Sequence, residues 1–288
     1  MKQKNMTFDE CSAKWLRRRM FLKSGAVFAG AFACAGKAVA TDRDTILESC
    51  LAAPYRPTDQ VRRDVWRHPY ESLKFWGLKA GMTVLDLQPV GGYWTYILAP
   101  YLARTNGTYI GAIPVTSPPD KGIQAMTAFA HEFSNKERFG SVIVVDFDPG
   151  KVPLGPANSV DFLLSAREIH NWIRHGYISG VMRQVADVLK PGGIFAVEDH
   201  RADPRAQKPD ASDGYVAIVT VVREAAKAGL TLEASSEINA NPKDTKNYPF
   251  GVWTLPPTRK SDTSPTFRRA DYDAIGESDR MTLRFRKL

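Results

Sequence analysis

Between residues 83 and 200 the chain alternates short apolar runs with longer stretches whose apolar residues recur every three or four positions. Thr83–Leu87, Thr108–Ile113, Ser141–Asp146, Val160–Ser165 and Ile194–Glu198 predict strands. Ser141–Asp146 is β-branched and almost wholly apolar, the pattern of a parallel strand buried on both faces. Trp94–Leu102, Ile123–Glu137 and Tyr177–Leu189 predict helices, the last stopped by Lys190-Pro191-Gly192-Gly193. Val216–Ala228 predicts another, ended by Gly229, and Leu230–Glu237 and Met281–Lys287 predict two closing strands. Upstream, Val61, Val65, Trp66, Leu73 and Trp76 lie near helical spacing, interrupted by Pro69; residues 41–60 read as a linker or short helix.

This alternation predicts an α/β domain over residues 61–288. It is a three-layer, doubly wound fold around a mostly parallel seven-stranded sheet. Ligands in such sheets bind beyond the carboxyl ends of the strands, where the strand order reverses. Residues 238–280 do not fit the minimal pattern. They are rich in Asn, Lys, Asp and Pro and carry Tyr248, Phe250, Trp253 and Tyr272. A segment that long with four aromatics predicts an inserted flap over one end of the sheet, either static or closing as a lid.

The first forty residues change the charge argument. Arg18-Arg19-Met20-Phe21-Leu22-Lys23 precedes an apolar run from Ser24 to Gly36 and then Ala38-Val39-Ala40. Basic, apolar and small residues in that order predict a secretory signal at residues 1–40, cleaved after Ala40, and the paired arginines make it twin-arginine in type. The run is too short to span a bilayer comfortably. The whole chain has 39 basic and 31 acidic residues. Residues 1–40 hold eight of the basic and two of the acidic ones, so the net charge falls from +8 to +2 without them. That excludes a nucleic-acid footprint. Of three cysteines only Cys50 remains, so packing and not a disulfide must hold the fold.

Thr83-Val84-Leu85-Asp86-Leu87, followed by Gly91-Gly92 and a helix, resembles the first motif of the class I S-adenosylmethionine-dependent methyltransferases. Lys190-Pro191-Gly192-Gly193 resembles the turn before their fifth strand. More narrowly, residues 55–288 resemble a family of exported, predicted bacterial methyltransferases. The matching stretches are Arg67-His68-Pro69-Tyr70-Glu71, Pro89-Val90-Gly91-Gly92-Tyr93-Trp94-Thr95, Ile97-Leu98-Ala99-Pro100-Tyr101-Leu102, Ile169-His170-Asn171-Trp172 and Asp199-His200-Arg201. The resemblance implies S-adenosylmethionine as cofactor, held by Asp86, Gly91, Gly92, Tyr93 and Asp146.

Two departures imply weak cofactor binding. Gln88 and Val90 replace glycines, and Val90 narrows the turn through which cofactor and backbone meet. The second strand ends in Ile113-Pro114, without the acidic residue that usually holds the ribose; Asp120 is a distant substitute.

His170-Asn171 follows the fourth strand and Glu198-Asp199-His200 ends the fifth. Neighbouring strands would bring His170 and His200 to one pocket, with the pKa range of a general base. Asn171 would position an acceptor, and Trp172 or Tyr93 would face a cationic sulfonium. The bland alternatives are structural hydrogen bonding for the histidines, Glu198 as a fixed carboxylate in the pocket floor or paired with Arg201, and His68 with Glu71 bracing the N-terminal helix against the sheet. The five histidines show no metal-binding spacing, so no metal is expected.

Two functions stay open. One is methyl transfer to a small-molecule acceptor in the bacterial envelope, after passage through the twin-arginine machinery and with no membrane attachment after cleavage. The other is a methyltransferase-like fold that binds a small ligand or does other acid–base chemistry in the periplasm.

Overall fold

The computed structural model describes residues 43–288 except 116–118, 262 and 265–266. The export signal expected at residues 1–40 therefore lies outside the described residues. So do the side chains of Val90 and Asp120.

Seven strands form one sheet: β1 (Thr83–Leu87), β2 (Thr108–Pro114), β3 (Val142–Phe147), β4 (Val160–Ala166), β5 (Leu189–His200), β6 (Leu230–Ser236) and β7 (Arg280–Lys287). Their order is β3-β2-β1-β4-β5-β7-β6. β1 to β5 pair in parallel, and β7 runs antiparallel to both β5 and β6.

Helices cover both faces, as the period-3.6 segments require. α1 (Thr45–Leu51), α2 (Thr58–Val61), α3 (Asp64–Arg67) and α4 (Pro69–Trp76) precede β1. α5 (Thr95–Arg104) follows β1; α6 (Pro119–Glu132) and α7 (Lys136–Phe139) follow β2. α8 (Ile169–Arg174) and α9 (Ile178–Val188) lie between β4 and β5, α10 (Ile218–Lys227) follows β5, and α11 (Arg269–Ile275) lies in the insert. Leu85, Leu87, Phe195 and Val197 pack with Val181 and Val185 of α9 on one face. Val84, Phe162 and Ala196 pack with Trp76, Ile97, Leu98 and Phe133 on the other. Among the described residues no helix is long and apolar enough to cross a membrane.

Several expectations need correction. The apolar Val142–Phe147 strand is not buried on both faces: it is an edge strand, and Ile143 is exposed. Val145 packs toward one face and Val142 and Val144 toward the other, each only partly buried. The single helical pattern over Val61–Trp76 resolves into three short helices, because Pro69 starts a helix where its missing N–H costs nothing. The 41–60 stretch is docked onto the fold. Asp44 caps α1 by accepting from Leu47 N (3.0 Å) while its other oxygen accepts from Tyr101 of α5 (2.9 Å), and Leu47 and Cys50 are buried.

The insert is ordered by side chains that stand in for a strand ladder. Asn239 donates to Ser72 Oγ (3.1 Å) and Thr282 Oγ1 (3.0 Å); Asn241 donates to the carbonyls of Ile275 and Glu277. Asp244 accepts from Tyr215 Oη and from Asp279 N. The insert is thus anchored at both its ends, where the carboxyl end of β5 meets the amino end of β7.

Candidate active site

The strand order reverses between β1 and β4, so the crevice lies above their carboxyl ends. Gln88 follows β1 and Arg167 follows β4, and both take positive φ (59° and 64°), unusual for residues with side chains. Such strain concentrates at functional sites.

On the β1 side, Gly91 (φ 71°) is exposed, and a Cβ there would meet nothing within 4 Å. Gly92 (φ 67°) differs: a Cβ would stand 2.6 Å from Phe133 Cζ, so this glycine serves packing. Asp86 is buried beneath α5, where Oδ2 accepts from Tyr109 Oη (2.9 Å), which also meets Thr95 Oγ1 (2.8 Å). Burial raises its carboxyl to about 7. Asp146 sits exposed near the end of β3. Tyr93 is not free to face a cation. It is buried, its hydroxyl donates to Asp64 Oδ1 (2.7 Å), and the Arg67 guanidinium covers its ring at 4.3 Å. Trp172 is core, donating to Gln88 Oε1 (2.7 Å) across the crevice.

On the β4–β5 side the two histidine rings meet, centroids 5.1 Å apart. Asp199, on β5 beside His200, is fully buried. Its Oδ2 accepts from Ile169 N (2.7 Å) and its Oδ1 from His200 N (2.7 Å), with His170 Nδ1 at 3.1 Å. An acceptor-only carboxylate makes that nitrogen the donor and leaves His170 Nε2 with a free lone pair. His200 Nδ1 meets Ser278 Oγ (2.5 Å), and burial followed by His170, Arg167 and other arginines pushes its pKa well below the usual value. Asn171 donates its amide to Glu168 Oε2 (3.0 Å). Burial raises the Glu168 carboxyl to about 7.

Asp199 was the partner that sequence reasoning missed; its place between Glu198 and His200 at a strand end was the available signal. His170, Asp199 and His200 also bring three ligand-type atoms within 4.8 Å of one another. The arginines that depress His200 make this a poor place for a cation.

One pairing differs from expectation. Glu198 is a buried, fixed carboxylate but pairs with Arg280, while Arg201 pairs with Asp279 (2.7 Å) and Glu237 (2.7 Å). β7 runs beside β5 and supplies the nearer guanidinium. His68 meets Asn239 (3.2 Å), which donates to Thr282 of β7, so it braces its helix against the sheet, whereas Glu71 is exposed. Trp253 of the flap packs its ring against His170 (5.9 Å) and carries Arg174 on its face (4.4 Å). Beyond it opens a cavity of about 950 Å³ lined by Arg174, Asp213, Tyr248, Phe250, Trp253 and Lys260.

No protein-family model and no curated protein matches the chain. Solved structures do. A SAM-dependent methyltransferase from Aquifex aeolicus is 26% identical, with 62% of this chain and 87% of that one covered and a TM-score of 0.47. A putative sarcosine dimethylglycine methyltransferase from Galdieria sulphuraria is 16% identical (79% and 86% covered, TM-score 0.47). The [4+2]-cyclase SpnF is 17% identical (77% and 80% covered, TM-score 0.48). The fold is class I methyltransferase-like. That assignment rests on the chain's own strand order, with β7 inserted antiparallel between β5 and β6.

Proposed function

We propose that this protein transfers a methyl group from S-adenosylmethionine to a small-molecule acceptor, with His170 taking the acceptor's proton. The observation that carries this reading is the His170–Asp199 pair, held at the carboxyl edge of a methyltransferase-like sheet by two backbone N–H groups.

The exposed face of Gly91 is open, with nothing within 4 Å of where a Cβ would stand; Asp146 is exposed near the end of β3, and Asp86 lies buried behind the turn near the end of β1. These residues fit the cofactor and would hold it. When bound, it supplies an electrophilic methyl group. The chain's own part is acid–base and positional. Asp199 fixes the His170 tautomer and aims Nε2, which accepts the proton that an oxygen or nitrogen nucleophile must lose. Trp253 and the flap shield that nitrogen from bulk water, and the adjoining cavity is the acceptor's route. The twin-arginine signal supports passage through that export machinery to the periplasm.

A second reading has one specific observation behind it. Gln60 of α2 donates to Gly91 O (2.5 Å), and Arg63 and Arg67 crowd Tyr93 beside the glycine turn. A positive field there opposes a sulfonium, which favours an anionic ligand in a methyltransferase-like fold.

The test is a comparison of His170→Ala with wild type. Cofactor binding by calorimetry should be unchanged, while label transfer from methyl-labelled S-adenosylmethionine into a small-molecule envelope extract falls by about 10²–10⁴. Equal transfer by both proteins would remove His170 from the chemistry.

A further inference from the structure

The switch-point crevice holds more positive charge than the protein neutralises. Four guanidiniums, of Arg63, Arg67, Arg167 and Arg280, face the carboxylates of Glu198 and Glu277, and Arg167 also acts on the carboxyl of its neighbour Glu168. Glu277 accepts from Arg63 Nε (2.6 Å), Arg67 Nε (3.1 Å) and Arg280 Nη1 (3.0 Å). Glu198 accepts from Arg280. Arg167 has no side-chain hydrogen bond to the described residues, and its Nε is buried without a partner. Arg67 Nη2 and Arg63 Nη2 are buried without partners too. On the β5 side Glu198 Oε2 and Arg280 Nε are likewise unpaired. Arg67 and Arg280 are almost fully buried, whereas Arg63 and Arg167 stay partly open to solvent.

An ion-pair network that served only the fold would balance its charges, because an uncompensated buried charge is strongly unfavourable. Even with the Glu168 carboxyl counted, which burial raises to about 7, at least one positive charge is left over at the place where this sheet class takes its ligands. The electrostatics agree: burial and the neighbouring Arg167 push Arg67 down to about 9, and burial pushes Arg167 down as well. Arg167 also holds a left-handed backbone conformation that aims a long cationic side chain from the end of β4.

We infer that Arg167, Arg67 and Arg63 form a receptor for one small anionic group, a carboxylate or a phosphate, with Arg280 locked in place behind them by Glu198 and Glu277. Planar guanidiniums with free N–H groups suit the oxygens of either anion. The inference does not depend on methyl transfer. If the methyl-transfer reading holds, the anion belongs either to the acceptor or to the amino-acid end of the cofactor.

The test is thermal unfolding and calorimetry of the purified protein with inorganic phosphate and with acetate, at ionic strength held constant with chloride. Wild type should gain roughly 3–6 °C at ten times the dissociation constant. Arg167→Met should unfold at a higher temperature than wild type without added anion, because like charges are removed, and should bind phosphate at least about tenfold more weakly. Arg67→Met gives an independent second variant. S-adenosylmethionine and 5′-methylthioadenosine, which lacks the carboxylate, separate the two sources. If the cofactor supplies the anion, phosphate competes with S-adenosylmethionine, and Arg167→Met weakens it but not methylthioadenosine. If the acceptor supplies it, phosphate and S-adenosylmethionine bind together. No stabilisation of wild type by either phosphate or acetate overturns the inference, as does undiminished phosphate binding in both variants.

Discussion

The two halves of the sheet's carboxyl edge are built by different forces. Above β1 and β2 the polar content is small: one buried carboxylate, Asp86, shares hydroxyls with Tyr109 and Thr95 among packed aromatics such as Phe129 and Phe133. Above β4, β5 and β7, buried side chains carry charge. Glu277 holds arginines from α3 and β7, and Asp199 and Asp279 organise the histidines and the flap. A buried carboxylate is therefore a burden in the first half, where no cation faces it, and a keystone in the second.

Removing a carboxylate should have opposite signs in the two halves. The larger effect is expected from Glu277→Gln, which leaves Arg63, Arg67 and Arg280 facing one another with only Glu198 nearby. A loss of about 3–5 kcal/mol is expected, read from urea unfolding at pH 7. A loss under about 1 kcal/mol would show that the network is not the support described here.

Asp86→Asn should do the reverse by a smaller amount. The folded carboxyl lies near 7 and the unfolded one near 3.9, so the fold favours the protonated form. This group's contribution is fully present below about pH 4 and is lost as pH rises through 7. Asn keeps an acceptor for Tyr109 without the charge. The variant should gain about 2–4 kcal/mol over wild type at pH 8 and almost nothing at pH 4, measured as unfolding free energy against pH. A variant less stable at pH 8 would mean that the carboxylate is compensated after all.

The same contrast explains what was legible in the sequence. Strands, helices and the glycine turn follow local periodicity and spacing, and so does the meeting of His170 with His200, since β4 and β5 are adjacent. Glu277 and its arginines were not legible, because Arg67 and Glu277 lie 210 residues apart and only the folded sheet brings them together. The Glu198–Arg201 pair failed for the same reason: nearness in sequence was weighed, while β7 supplied Arg280. The edge position of β3 was hidden because an apolar β-branched run reads alike whether the strand has a neighbour on one side or on both.

On the methyl-transfer reading the open turn above β1 takes S-adenosylmethionine. The most direct measurement is a calorimetric titration of that cofactor into the purified protein, with thermal unfolding alongside. With no carboxylate at the end of β2, two charge-assisted hydrogen bonds to ribose are missing. Binding should be weaker than in a site that has them by about 2–3 kcal/mol, or about 30- to 150-fold, yet measurable. Asp86→Ala should abolish it. Absence of both heat and thermal shift at millimolar cofactor would contradict the methyl-transfer account and leave the anionic-ligand reading in its place.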